Sequence, residues 1–400
     1  MNVKDKLKNK RILIWGYGRE GKSTEDFLKR SCTPASIDIF EGKREEIDES
    51  KYDYIIKSPG IPMHEDNVKY TSQTQLFLEQ YKDNVIGITG TKGKSTTSTM
   101  LYTVLSECTD RQVLLLGNIG QPCLDYFDEI TDDTIVVYEM SCHQLYHTTV
   151  SPHIAVFLNL FEEHLDYYET LDRYFLAKSH VAMYQSDSDY IYLGDNVPHF
   201  DTKGQKTVIS PIHDKKYNLS IEGLHNQFNA EFVYKIATER FDCDESKVRE
   251  SIENFKGLKH RLEYVDCIDG VKYYDDSIST IPEAAISAAV SISNAKTLLI
   301  GGMDRGIDYT KLIDFIDGHP EYNYICMYAS GKRIYDTGNL ERLGYVSYVD
   351  DLEQAVERAA AITSAGEAVI LSPAAASYGY FKNFEERGDR FAELVRQRGL

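Results

Sequence analysis

The chain has 400 residues, 42% of them hydrophobic, a formal charge of −19 and seven cysteines. That length predicts two or three domains with real cores, and the acidic balance argues against a general nucleic-acid binder, which needs a basic surface. No apolar run approaches the ~20 residues of a membrane span, the start lacks the apolar stretch of a signal peptide, and the cysteines are scattered and never form a CxxC pair, so a reduced cytoplasmic protein without membrane insertion is expected.

The first segment, residues 1–82, opens with a strand over 11–15 and the turn Gly16-Tyr-Gly18-Arg-Glu-Gly21, then a helix over 22–30. A second strand over 35–40 follows, with Asp38 and Glu41 near its end. Alone this GxGxxG arrangement is a dinucleotide fingerprint, and it supports a Rossmann-like nucleotide domain whose ligand stays open. A strand over 54–57 runs into a second tight loop, Ser58-Pro59-Gly60-Ile61-Pro62.

The second segment, residues 83–258, begins with a β-branched strand ending at Thr89, then Gly90-Thr91-Lys92-Gly93-Lys94-Ser95-Thr96, then a helix over 95–106 without Pro or Gly. Strand, Gly-rich loop and helix start let backbone N–H groups and the helix dipole hold phosphate oxygens. Lys94 would neutralise β/γ-phosphate charge, and the Ser95 or Thr96 hydroxyl would face Mg²⁺. The pattern predicts a nucleoside triphosphate ligand; a Gly-Lys surface turn is the plain alternative.

Two further strands, over 134–138 and 154–158, end in polar residues. Glu139 stands just past the first, where open α/β sheets place ligands, and His164 lies beyond the second. Taken singly, each could be a solvated loop residue; beside Ser95 they would bracket a Mg²⁺ ion. Lys178, in a helix, has Phe175 and Val181 three residues away on either side and shares their apolar face. Such a lysine more often snorkels to water than serves chemistry. Residues 187–216 are polar and irregular and carry no clear element, and a helical run follows the loop over 223–229.

The third segment, residues 259–400, alternates strand and helix at 271–274, 282–290, 297–300, 324–327, 351–362 and 368–371. This alternation implies right-handed βαβ units and mainly parallel sheets. The fold class expected is α/β with three domains: Rossmann-like, central P-loop ATPase-type, and Rossmann-like again.

Several stretches occur in order: the P-loop, Gly117-Asn118-Ile119-Gly120, Glu139-Met-Ser-Cys-His-Gln-Leu, His164-Leu-Asp166 and Tyr174-Phe-Leu-Ala-Lys178. They continue with Gly223-Leu-His225-Asn226-Gln-Phe-Asn229, His260-Arg261-Leu-Glu263, Asp275-Asp276-Ser277 and Gly301-Gly302-Met-Asp304-Arg305-Gly306. The last are Leu371-Ser-Pro-Ala-Ala-Ala-Ser377 and Phe381-Lys-Asn-Phe384-Glu-Glu-Arg387-Gly388. With these the chain resembles, over nearly its whole length, the Mur ligases, the ATP-dependent amide-forming family of peptidoglycan precursor synthesis.

The resemblance implies roles. Residues 1–82 would bind the UDP moiety at Gly18 and Ser58, residues 83–258 ATP, and residues 259–400 the incoming amino acid. Gly90 to Thr96 would hold the phosphates, Asn226 and Asn229 the adenine region, and Arg261 with Asp276 the phosphates and ribose. Lys94, Glu139, His164 and Lys178 would be catalytic. Ser95 and Glu139 would ligate one Mg²⁺, His164 a second, and Lys178 would join them as a carbamate, which accounts for its apolar setting. Asn118 would sit near the muramoyl substrate. Thr280, Arg305, Ser377 and Phe384 would meet the amino acid. The expected reaction adds glutamate to UDP-N-acetylmuramoyl-L-alanine through an acyl phosphate, in a monomer. D-glutamate comes first; L-glutamate is the alternative, because Ile278 and Arg305 stand where the family often has lysines. A folate acceptor is a further competitor.

Overall fold

The computed structural model describes residues 2–63, 67–221, 223–292 and 294–399, and of Asp166 the backbone alone. The chain divides into two compact units, one ending at Phe255 and one beginning at Lys256. In the first unit, β1 (Arg11–Trp15), β2 (Ser36–Phe40), β3 (Tyr54–Lys57) and β4 (Tyr70–Thr71) form a parallel sheet in the order β2-β1-β3-β4. The same unit holds β5 (Val85–Thr89), β6 (Val113–Gly117), β7 (Ile135–Glu139), β8 (Ile154–Phe157), β9 (Tyr190–Gly194) and β10 (Gln205–Ile209). These form a second sheet, ordered β10-β9-β8-β5-β7-β6 and parallel throughout.

Strands β5, β7 and β8 are buried at every position, as parallel strands covered on both faces must be. On one face Ile86, Ile88 and Val137 pack against Met100, Leu101 and Val104 of the helix Lys94–Cys108 and Phe232 and Ile236 of the helix Leu224–Arg240. On the other, Val136, Tyr138 and Phe157 join Ile14, Phe27 and Phe77 in one core that spans both sheets. The carboxyl ends of the central strands therefore come to lie beside the Gly-rich turn of the first sheet.

The second unit carries β11 (Glu263–Ile268), β12 (Val271–Asp275), β13 (Ala295–Ile300), β14 (Asn323–Met327), β15 (Val346–Val349) and β16 (Ala368–Leu371). Their order is β11-β12-β16-β13-β14-β15, with only the β11–β12 edge antiparallel. The fold is thus α/β on three largely parallel sheets.

Residues 187–216, which the sequence leaves unassigned, contain β9 and β10. Strand β10 is an edge strand reading Gln-Lys-Thr-Val-Ile, mostly exposed, so it lacks the apolar run that marks its neighbours. The helix after the first Gly-rich turn starts at Arg19, capped by Gly18, three residues before the expected 22. The loop expected over 223–229 is instead the first turns of the helix Leu224–Arg240. Val181 lies just past the helix Leu171–Ser179, and it and Lys178 are both buried. Among the described residues no helix is long and apolar enough to cross a membrane.

Candidate active site

The P-loop leaves β5 at Thr89 and enters the helix Lys94–Cys108 through Gly93, whose φ is +83°. A Cβ at Gly93 would stand 2.6 Å from Asn229 Oδ1, so the loop rests directly on that side chain. The loop is clamped from the other side by the segment after β8. Thr91 N–H donates to Asn159 O at 3.0 Å, and Lys92 N–H to Asn159 Oδ1 at 2.9 Å. Lys92 Nζ reaches Glu163 Oε1 at 2.7 Å. Lys94 folds back on its own loop, donating to Gly90 O at 2.9 Å and Thr91 O at 3.0 Å. Ser95 and Thr96 open the first helical turn. Asn226 and Asn229 are buried three residues apart on the helix Leu224–Arg240, with Asn229 Nδ2 at 3.4 Å from Asn226 Oδ1.

Glu139 ends β7 fully buried. Its Oε1 accepts from Asn118 Nδ2 at 2.6 Å, whereas Oε2 is buried without a hydrogen-bond partner among the described residues. Leaving a carboxylate oxygen in that state costs free energy unless something binds it. A buried carboxylate oxygen left unpartnered in this way fits a hard cation such as Mg²⁺, which takes oxygen ligands.

Lys178 is 1% exposed. Its Nζ donates to Gly90 O at 2.8 Å and lies 4.6 Å from the Tyr174 ring centre. The two lysines thus share one carbonyl. Burial first, and the Lys94 charge second, pull the Lys178 pKa down to about 7. Burial also lowers Lys94. His164 is exposed and adopts a left-handed backbone, φ 57°. Its ring centre is 5.2 Å from that of His143 and 6.0 Å from that of Tyr174.

Lys94, Asn118, His164 and Lys178 line a single cleft of about 410 Å³ with Glu20 and Gln144. Glu20, on the first Gly-rich turn, accepts from Gln144 Nε2 at 2.8 Å, and burial raises its pKa. Gln144 is itself fixed by a capping box with Ser141. Gly18 caps the helix Arg19–Ser31, and Ser58 Oγ donates to Gly16 O at 3.0 Å, which joins the two loops of the first sheet.

In the second unit, Asp276 follows β12 and is buried. Its Oδ2 accepts from Ser279 Oγ at 2.5 Å and Ser372 Oγ at 2.7 Å. Burial raises its pKa to about 6. Arg261 and Arg305 are exposed, Thr280 and Phe384 half-buried, and Ser377 buried. Ser277 Oγ donates to Phe384 O at 2.8 Å, so the segments after β12 and β16 meet. The sequence reading missed Glu20, Asn159 and Glu163. Asn159 could have been suspected from its place at a strand's carboxyl end; Glu20 depends on packing between two sheets and left no local signal.

These features define a P-loop α/β protein with a polar cleft at the carboxyl ends of its strands. Residues 88–244 match the family model of the Mur ligase middle domain. A UDP-N-acetylmuramoylalanine–D-glutamate ligase of Aquifex aeolicus is 30% identical over 420 residues, 96% of this chain and 98% of its own. The enzyme of that name from Oenococcus oeni is 28% identical over 435 residues, 98% of each chain. The chain belongs to the Mur ligase family. Its fold is like that of a MurF ligase from Thermotoga maritima solved with ADP, with a TM-score of 0.55 at 15% identity over 100% of this chain and 97% of that one.

Proposed function

We propose that the protein is an ATP-dependent carboxylate–amine ligase that adds D-glutamate to UDP-N-acetylmuramoyl-L-alanine in peptidoglycan precursor synthesis. The observation that carries this reading is the convergence of Lys94, Asn118, His164 and Lys178 on one cleft, in a chain matched from end to end by ligases of that name. The ADP bound to the Thermotoga maritima MurF ligase supports ATP as the phosphoryl donor.

A carboxylate is a poor electrophile, so the substrate's terminal carboxylate oxygen first attacks the γ-phosphorus and ADP leaves. The amino group of glutamate then attacks the acyl carbon, loses a proton, and inorganic phosphate departs. The P-loop N–H groups would hold the phosphates, and Lys94 would leave the Gly90 and Thr91 carbonyls to meet the transferring group, where charge develops. Gly18 and Ser58 would receive the UDP moiety, and Asn118, held by Glu139, the muramoyl portion. Asn226 and Asn229 would contact the adenine region, and Arg261 and Asp276 the phosphates and ribose. Thr280, Arg305, Ser377 and Phe384 would meet the glutamate carboxylates.

Ser95, Glu139 and His164 would hold Mg²⁺, which when bound screens phosphoryl charge. A deprotonated Lys178 amine that adds CO₂ and releases a proton becomes a carbamate, an anion suited to the same site. Its burial beside a second cation supports that conversion.

The test is ATP-dependent phosphate release with UDP-N-acetylmuramoyl-L-alanine and either D- or L-glutamate, the product being identified by mass. Turnover with D-glutamate is expected. Turnover with L-glutamate alone would assign the Ile278 and Arg305 departures to a changed stereochemistry, and silence with both would overturn the acceptor or the amino acid.

A further inference from the structure

The bulkiest fully buried side chain among the described residues is a charged one, Arg387. It lies in the helix Phe384–Gln397 of the second unit. Its Nε donates to Ser277 Oγ at 2.9 Å, Nη2 to Ser277 O at 2.7 Å, and Nη1 to Ala375 O at 3.0 Å. A Cβ on Gly302 would fall 2.9 Å from Nη1, so the turn after β13 presses on the same guanidinium. Ser277 passes the contact on to Phe384 O. One side chain therefore touches or braces the segments after β12, β13 and β16 and the start of its own helix.

Every acceptor it uses is neutral. Asp275, whose charge acts on it, gives its oxygens to His260 Nδ1 at 2.7 Å and Ser277 N–H at 2.8 Å. Burial lowers the Arg387 pKa only to about 10, so the group is cationic at neutral pH. A buried cation without a carboxylate at hydrogen-bond distance is costly. The four braced segments carry Thr280, Arg305, Ser377 and Phe384.

We propose that Arg387 is a positioning and specificity residue for the incoming amino acid: it locks these four segments and supplies the buried positive charge that favours a dicarboxylic amino acid over a neutral one. This rests on the reading in which those segments receive glutamate.

Full-length wild-type, Arg387→Met and Arg387→Lys proteins are compared by KM and kcat for glutamate, glutamine, ATP and UDP-N-acetylmuramoyl-L-alanine, with thermal melts alongside. In Arg387→Met the glutamate KM should rise about tenfold and the glutamate-over-glutamine preference fall by a similar factor. The KM for UDP-N-acetylmuramoyl-L-alanine should stay within about twofold, and that for ATP, whose contact Asp276 adjoins Ser277, should rise less than that for glutamate. Arg387→Lys should be intermediate, because an ammonium keeps the charge but cannot span the same acceptors. Unchanged glutamate KM and selectivity in the variants, or all KM values moving together with a lost melt, would overturn the role of Arg387. Should Arg387→Met not fold, Arg387→Lys decides: unaltered selectivity there overturns it. Wild-type protein with no glutamate-dependent turnover overturns the functional reading and this inference together, whereas wild-type turnover with unshifted variants overturns only this inference.

Discussion

Lys178 has one carbonyl, one aromatic ring and almost no water around it. A lysine that merely snorkelled would have its ammonium at the surface. Under the carbamate reading, Lys178→Ala should abolish turnover, and added short carboxylic acids should partly restore it; full activity in the unsupplemented variant would exclude that role. Glu139→Ala should lower ligation at least ~100-fold and UDP-substrate affinity far less, since its orphaned oxygen would serve phosphoryl transfer and only its other oxygen holds Asn118; calorimetry beside turnover separates the two, and equal losses would count against it. Asp276 gives a pH signature. Its folded pKa, about 6, lies above its ordinary 3.8, so between these values the folded state holds more protons. Stability from this group is therefore present in full below about pH 4 and lost as pH rises through 6. Asp276→Asn should flatten that limb by on the order of 1–3 kcal/mol, as read by chemical denaturation of the unliganded protein at pH 4, 5, 6 and 7. An unchanged pH slope would show that the buried carboxylate does not govern it.

At the scale of elements, the helix Arg19–Ser31 must approach its Gly-rich turn closely. A Cβ at Gly21 would stand 2.2 Å from Gly16 O, a backbone atom that cannot swing away. Gly21→Ala should thus cost about 1–3 kcal/mol and raise the KM for the UDP substrate while leaving that for glutamate unchanged; a melt and two saturation curves check it. The elements legible in the sequence are those whose signal is local. The P-loop strand, turn and helix lie within residues 85–108, and β5 is apolar because both its faces are covered. Strand β10 escaped because an edge strand shows solvent much of its length. The start of the helix Leu224–Arg240 escaped because His, Asn and Gln make its first turns read as loop; Asn229 is polar there because it supports the P-loop, and Gln227 because it bonds the backbone of Lys216 and Tyr217.

For the whole molecule, alternating strands and helices announced three parallel-stranded layers, and the motif order announced the family. What the sequence could not express is contact between layers, such as Glu20 bonded to Gln144, 124 positions apart. Nor could it show that Tyr138 and Phe77, from different layers, meet ring to ring at 5.7 Å. The second unit has its own sheet and its own apolar clusters, around Leu299 and Val369 and around Ile300 and Leu312. A fragment of residues 256–400 should therefore melt cooperatively alone; a non-cooperative thermal trace by circular dichroism would refute this. In the first unit, by contrast, two sheets are sealed into one apolar interior. Neither can loosen without exposing the other, so they should unfold as one. A compound gripping only the Gly16–Gly21 turn would then protect the P-loop as well, by roughly 2.7 kcal/mol at a hundred times its Kd. In a thermal-shift screen, fragments for that turn and for the P-loop, each at the same multiple of its Kd, would give the same upward displacement, and the curve itself would not tell them apart.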